Sequence, residues 1–266
     1  STTIAACYVA LKHVFGEVPA NAGVLEPIDF TIPEGSLLAA TAPRPVGGYT
    51  ETILRLIDLV FQAMAQIAPE RSNGCAYGTI NALSLSGHRT GKDGSTGARW
   101  VMFSFFGGGH GGHPSGDGLN HGNAPISTAT IPPLEILEAA YPIKFTQWAL
   151  RPDSGGAGQH RGGLGAIYEI ELLEQEATGF LFGDRGKHPP RGVAGGGDAA
   201  MTRFSYPGPV RPVHPPMASK VTNVKLTRGQ RVRLETPGGG GYGPAEARDE
   251  AMRQRDRDLG YVEGDQ

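Results

Sequence analysis

At 266 residues the chain is long enough for one large domain or two small ones. With 39% hydrophobic and 19% charged residues it is neither a disordered polyampholyte nor a membrane protein. Twenty-four Lys and Arg against 26 Asp and Glu leave a net charge of −2, which removes the electrostatic case for nucleic acid or an anionic membrane surface.

Residues 1–15 place Ile4, Cys7, Tyr8, Leu11, Val14 and Phe15 at i, i+3/i+4 spacing before Gly16, which predicts an amphipathic helix. The chain opens on Ser1 without a Met and goes straight into that pattern. It therefore reads as processed or as part of something longer. Residues 24–32, VLEPIDFTI, read as an edge strand interrupted by a proline. Residues 50–68 carry Ile53, Leu54, Ile57, Val60, Phe61, Met64 and Ile67, the clearest helix in the sequence, with Thr50 as N-cap and Pro69 as its stop. After residue 95 the period changes to two. Strands are expected at 98–106, 143–150, 166–173, 179–184, 221–226 and 230–236, separated by turns rich in Gly, Pro and Asp. The tail 244–258 is almost wholly charged or Ala after Pro244 and predicts a solvated helix, or one awaiting a partner. These elements make an α+β fold in three parts. A mixed, helix-containing part spans 1–142, a β-rich part 143–243 and a charged helical tail 244–266.

Glycine is the compositional outlier, 41 of 266 or about 15% against a usual ~7%. No Gly-X-Y period is present, so collagen is excluded. The glycines instead cluster in short blocks, as in tight loops built around a ligand. The densest block, FFGGGHGGHPSGDGLNHGN at 105–123, brings His110, His113, Asp117 and His121 within twelve residues. Two histidines, an acid and a third histidine suit Zn or Mn, but seven glycines between Gly107 and Gly118 mean that only a loop could hold the ion. The alternative is a loop packed against an active site or interface, with Gly107, Gly108, Gly109, His110 and Asp117 as its candidates. In RPDSGGAGQHRGGLG at 151–165, Arg151, His160 and Arg161 could grip a carboxylate or phosphate. The competing reading there is a long β–β connection whose turn starts at Asp153 and in which Asp153 pairs with an arginine.

No P-loop, dinucleotide-binding motif or Gly-x-Ser-x-Gly elbow is present. Ser1 as an N-terminal nucleophile is disfavoured because it precedes a helix, where Ser ordinarily caps. Cys7 and Cys75 make neither a disulfide framework nor a CxxC pair, which points to a reducing, cytoplasmic setting.

The order of the glycine blocks carries a resemblance. VGGYTET (46–52), GGG-x-G followed by DG (107–118), Pro-x-Glu-x-Leu-Glu (133–138), LRPDSGGAGQHRGGLG (150–165) and TPGGGGYG (236–243) resemble the hydantoinase B/oxoprolinase family, as does PANAG at 19–23. The resemblance runs nearly to residue 244 and corresponds to the C-terminal half of such a subunit. It implies an ATP-dependent amidohydrolase that opens a hydantoin, 5-oxoproline or lactam ring. ATP and Mg would be bound by a hydantoinase A-type partner, and a transition metal (Zn or Mn) would be liganded mainly outside this chain. The implied partners are the N-terminal half of the B-type subunit, the A-type subunit and the small-molecule substrate. An ATP-dependent ketone carboxylase and a non-catalytic scaffolding subunit are the alternatives.

Overall fold

The computed structural model describes residues 2–127 and 130–263. Ser1, weighed above as nucleophile or cap, and the last three residues of the tail expected at 244–266 lie outside the described residues.

Two helices form a pair at one side. Helix α1 (Thr2–Val14) packs on α2 (Tyr49–Met64), and Ala6, Ala10 and Val14 meet Ile53, Ile57 and Phe61 in a small core of their own. The contact stripe of α1 is its small-residue face, Thr3, Ala6, Ala10 and Val14, while Ile4, Cys7, Tyr8 and Leu11 are only half-buried. Small side chains let the two helix axes approach closely, which outweighs the larger apolar area on the neighbouring face. Gly48, not Thr50, is the N-cap of α2. No strand forms over 24–32; a 3-10 turn at Ala22–Leu25 and irregular backbone occupy that stretch.

The strands make two four-stranded antiparallel sheets. The first has the order β2 (Thr96–Phe105), β1 (Ala82–Thr90), β5 (Glu176–Phe182), β7 (Lys220–Thr227). The second has the order β3 (Ile143–Leu150), β4 (Ala166–Leu172), β8 (Arg231–Glu235), β6 (Arg203–Ser205). Leu83, Leu85, Met102 and Leu181 of the first sheet share one buried core with Tyr168, Ile170, Val232 and Leu234 of the second. Alternation puts one face of each strand into that core. The core runs across residue 142, because β5 and β7 pair into the sheet begun by β1. A short helix α3 (Leu134–Ala140) leads into β3.

The tail helix α4 spans Glu250–Asp258 and is capped by Asp249, whose carboxylate accepts from the amides of Ala251 and Met252. Pro244 does not open it; a 3-10 turn at Ala245–Ala247 intervenes. Among the described residues no helix is long and apolar enough to cross a membrane.

Candidate functional site

The glycine blocks meet one another beside the extended, buried segment 72–81. Their backbones bond directly. The amide of Gly109 donates to Pro237 O, Gly163 to His110 O, Gly239 to Gly163 O, Gly112 to Gly240 O and Gly241 to Gly197 O, all at 2.7–3.0 Å. Tyr77 N donates to Gly109 O and Gly240 N to Cys75 O, which fastens segment 72–81 to the same stack. A Cβ at Gly109 would lie 1.8 Å from Gly163 O, and one at Gly162 would lie 1.7 Å from Gly239 O. Backbone faces backbone here, so only glycine fits. These amides are spent on neighbouring loops and do not converge on an open cradle. The glycines make a rigid frame.

The histidines of 105–123 are carried by that frame to separate places. His110 turns its ring towards Tyr77 and pairs its Nε2 with Asn123 O; burial pushes its pKa down. His113 faces Ser115. His121, at φ +49°, pairs its Nε2 with the Tyr168 hydroxyl beside the Trp148 ring, and burial lowers its pKa as well. Burial raises Tyr168 well above the usual phenol range, so the pair is a neutral hydrogen bond at pH 7. Among the described residues no three His, Cys, Asp or Glu side chains are placed to hold one metal ion. The structure thus carries His110, His113, Asp117 and His121 to separate places and does not gather them into the ligand set that their spacing suggested.

Arg151 is buried and structural: it donates to Met201 O and Thr236 O and faces Glu235 at 3.6 Å. Asp153 takes φ +55° itself; its amide donates to Tyr261 O at 3.0 Å and its carboxylate accepts from Glu263 N at 3.2 Å. Asp117 and Arg161 are drawn together by the tail. Asp117 accepts from Arg161 N at 2.8 Å and from both terminal nitrogens of Arg248. Arg248 and Arg161 both reach Asp256 of α4, at 2.7 and 3.3 Å, and Arg161 lies over the Tyr261 ring. Most of α4 is exposed, as the sequence predicts, but Asp256 is buried against the rest of the chain. The tail docks through buried charges, which a count of apolar residues could not reveal.

A second polar cluster is fastened to segment 72–81. Asp58 of α2, almost fully buried, pairs with Arg185 and with Arg55, the latter at 2.9 Å. Burial pushes the Asp58 carboxyl up to about 7, against the pull of Arg55. Arg185, at φ +63°, also donates to the carbonyls of Ala76, Tyr77 and Pro189. One turn before Arg55, Glu51 accepts from Ile80 N at 2.9 Å, while its other oxygen is buried without a hydrogen bond. Burial raises the Glu51 pKa. Arg55 Nε and Nη1 and Asn81 Oδ1 are likewise buried without hydrogen-bond partners. Four such atoms around Thr79 and Asp184 mark the densest unsatisfied polar cluster among the described residues, and sequence reasoning missed it. The available signal was Glu, Arg and Asp at positions 51, 55 and 58 on the inward stripe of an amphipathic helix.

Two sheets around one core, joined at a bundle of mutually bonded glycine loops, define the class. The sequence profile of the hydantoinase B/oxoprolinase family matches residues 1–245, and the chain belongs to that family. An uncharacterised protein of Methanocaldococcus jannaschii is 32% identical over 249 residues, covering 93% of this chain and 42% of that protein. Caprolactamase subunit beta of Pseudomonas jessenii is 30% identical over 253 residues, covering 91% of this chain and 42% of the subunit. The crystal structure of that ATP-dependent caprolactamase superposes with a TM-score of 0.80 at 26% identity, over 98% of this chain and 46% of the solved one. A nucleotide-free acetone carboxylase shares the fold at a TM-score of 0.61 and 21% identity, over 77% of this chain and 31% of the other. The chain spans less than half the length of these relatives.

Proposed function

We propose that this chain is the frame-forming portion of a hydantoinase B-type subunit, acting within an ATP-dependent complex that opens a cyclic amide. The observation that supports this reading most is the superposition of 98% of the chain on an ATP-dependent caprolactamase at a TM-score of 0.80. The carboxylase alternative has weaker support, since its likeness covers 77% of the chain at a TM-score of 0.61 and 21% identity.

In this reading ATP and Mg are bound by an A-type subunit, and a Zn or Mn ion is liganded mainly outside this chain. The substrate is a hydantoin, 5-oxoproline or lactam, and the setting is cytoplasmic, compatible with two free thiols. An amide carbonyl is a poor electrophile, and phosphorylating its oxygen makes the carbon open to attack by water. This chain's own contribution is geometric. Loops locked backbone to backbone hold their positions to a fraction of an ångström, which suits a wall that must keep bulk water from a labile intermediate.

The test is reconstitution with the remaining half of the B-type subunit and an A-type subunit. Ring opening of caprolactam, 5-oxoproline or hydantoin, read by mass spectrometry and matched by phosphate release, is the expected result. Fixation of bicarbonate onto a ketone, without ring opening, would overturn it in favour of the carboxylase.

A further inference from the structure

The outer face of the first sheet departs from the rule that an antiparallel sheet turns polar side chains to water. The register sets Phe105, Ala82 and Phe182 in one row and Phe103, Ser84 and Phe180 in the next. Small residues of the central strand β1 thus form a floor between two phenylalanine walls. The trough encloses about 420 Å³, is closed at one end by Gly47, Gly48 and Ile80, and has no charged side chain in its lining. Phe103 is 51% exposed, Phe105 50% and Phe180 37%. At the open end Arg99 pairs across from His88, and Lys225 bonds to Thr178, so a charged rim follows the apolar centre. An apolar centre inside a polar rim is the anatomy of a protein interface, and a monomer rarely leaves such a patch open.

We infer that this trough is the seat of the polypeptide that supplies the rest of a hydantoinase B-type subunit, an inference that rests on the functional reading above. In the solved caprolactamase, 46% of the chain accounts for 98% of this one, so more than half of that chain lies outside the shared fold and is available to cover it. The uncharged, aromatic trough suits a segment that inserts two or three aliphatic side chains along β1. Its rim carries both signs, with Arg99 and Lys225 beside the exposed Glu176 on the Phe180 face of β5, and so suits a polar flank on that segment.

The test uses the full 266-residue chain with Cys7→Ser, carrying Phe103→Cys, Phe180→Cys or, as a control, Val210→Cys at a 97% exposed position. Each is compared alone and fused to the part of Pseudomonas jessenii caprolactamase subunit beta that this chain does not match. Maleimide labelling at positions 103 and 180 should slow at least tenfold in the fusion and stay unchanged at 210. Unchanged labelling at 103 and 180 in a folded fusion would overturn the inference. So would a dimer of the chain alone, by light scattering, that already protects both positions, because the occupant would then be a second copy. Should the fusion not fold, the caprolactamase crystal structure decides. The positions equivalent to Phe103 and Phe180 must be covered there by residues outside the matched part, and exposure of both overturns the inference. Protection without ring opening by the reconstituted complex would sink the functional reading and leave the surface standing.

Discussion

Arg248 grips Asp117 with both terminal nitrogens, at 2.7 and 2.8 Å, across 131 residues of chain. Bidentate geometry of this kind is the strong form of an ion pair. Burial pushes the Asp117 carboxyl up, but the hydrogen bonds and charge of Arg248 outweigh it and hold the pKa below the ordinary carboxylate range. The same Nη2 of Arg248 also donates to Asp256, which is itself bonded to Arg161. Arg248→Ala leaves the half-buried Asp117 without its cation and the buried Asp256 with Arg161 alone, and the expected loss is about 2–3 kcal/mol, below that for a fully buried pair. Urea denaturation of Arg248→Ala, Asp117→Ala and the double variant measures it. Additivity within about 0.5 kcal/mol would show that the pair does not couple. Since the Asp117 pKa is depressed, the stability it contributes is present above the unfolded value of about 3.9 and is lost as pH falls through the folded one.

The glycine stack makes a sharper claim about single methyl groups. Gly109→Ala drives a Cβ to within 1.8 Å of Gly163 O, and that carbonyl is held by the Gly239 amide. Neither backbone can yield alone. The expected cost is at or above the upper end of overpacking, about 3 kcal/mol. Gly47→Ala, where nothing lies within 4 Å of the new atom, should change stability by less than about 0.5 kcal/mol. Thermal unfolding of the two variants side by side is the measurement. Equal midpoints would show that the loops slide freely past one another.

What the sequence disclosed follows from which forces act locally. Strands β3 and β4 were legible because each alternates apolar and polar residues against one core. Strand β1 was not. Its Leu83 and Leu85 alternate with Ser84 and Ser86, too few apolar side chains to stand out, and its outer face is covered by phenylalanines of its neighbours. The glycine loops were legible as loops but not as a bundle, because their partners lie tens of residues away along the chain and share no side-chain signal. The tail misled for a related reason. Amphipathicity counts apolar area, whereas α4 is held through Asp256 and Arg248, two charges that look solvated until their partners on other loops are seen.

Glu51 gives a pH signature of the opposite sign to that of Asp117. Burial raises its pKa, so the folded chain holds this proton more tightly than the unfolded one. The contribution is then fully present below the unfolded value of about 4.3 and is lost as pH rises through the folded value. Glu51→Gln keeps an oxygen for the Ile80 amide and removes the charge. Its urea midpoint should match the parent near pH 4 and exceed it at pH 8. A variant weaker than the parent at pH 8 would mean that the ionised carboxylate is satisfied by Arg55 after all.

The two thiols should separate cleanly. Cys75 is fully buried between segment 72–81 and α2, where Gln62 Nε2 approaches its sulfur at 3.2 Å. Burial, with the Asp58 charge adding to it, pushes the Cys75 thiol far up. Cys7 is half-buried on α1, and burial raises its thiol as well. Only the thiolate reacts, so both are slower than a free cysteine, but Cys75 must also wait for the fold to open. If that opening costs about 5 kcal/mol, Cys75 should label at least about 1,000-fold more slowly than Cys7 in the native chain. Asp58→Asn, which deprives Arg185 and Arg55 of their buried counter-charge, should release Cys75 more than Cys7. Site-resolved maleimide labelling followed by peptide mass spectrometry reads both rates. Equal rates for the two thiols in the parent would mean that segment 72–81 opens independently of α2, and that the buried Asp58–Arg185 pair does not clamp it.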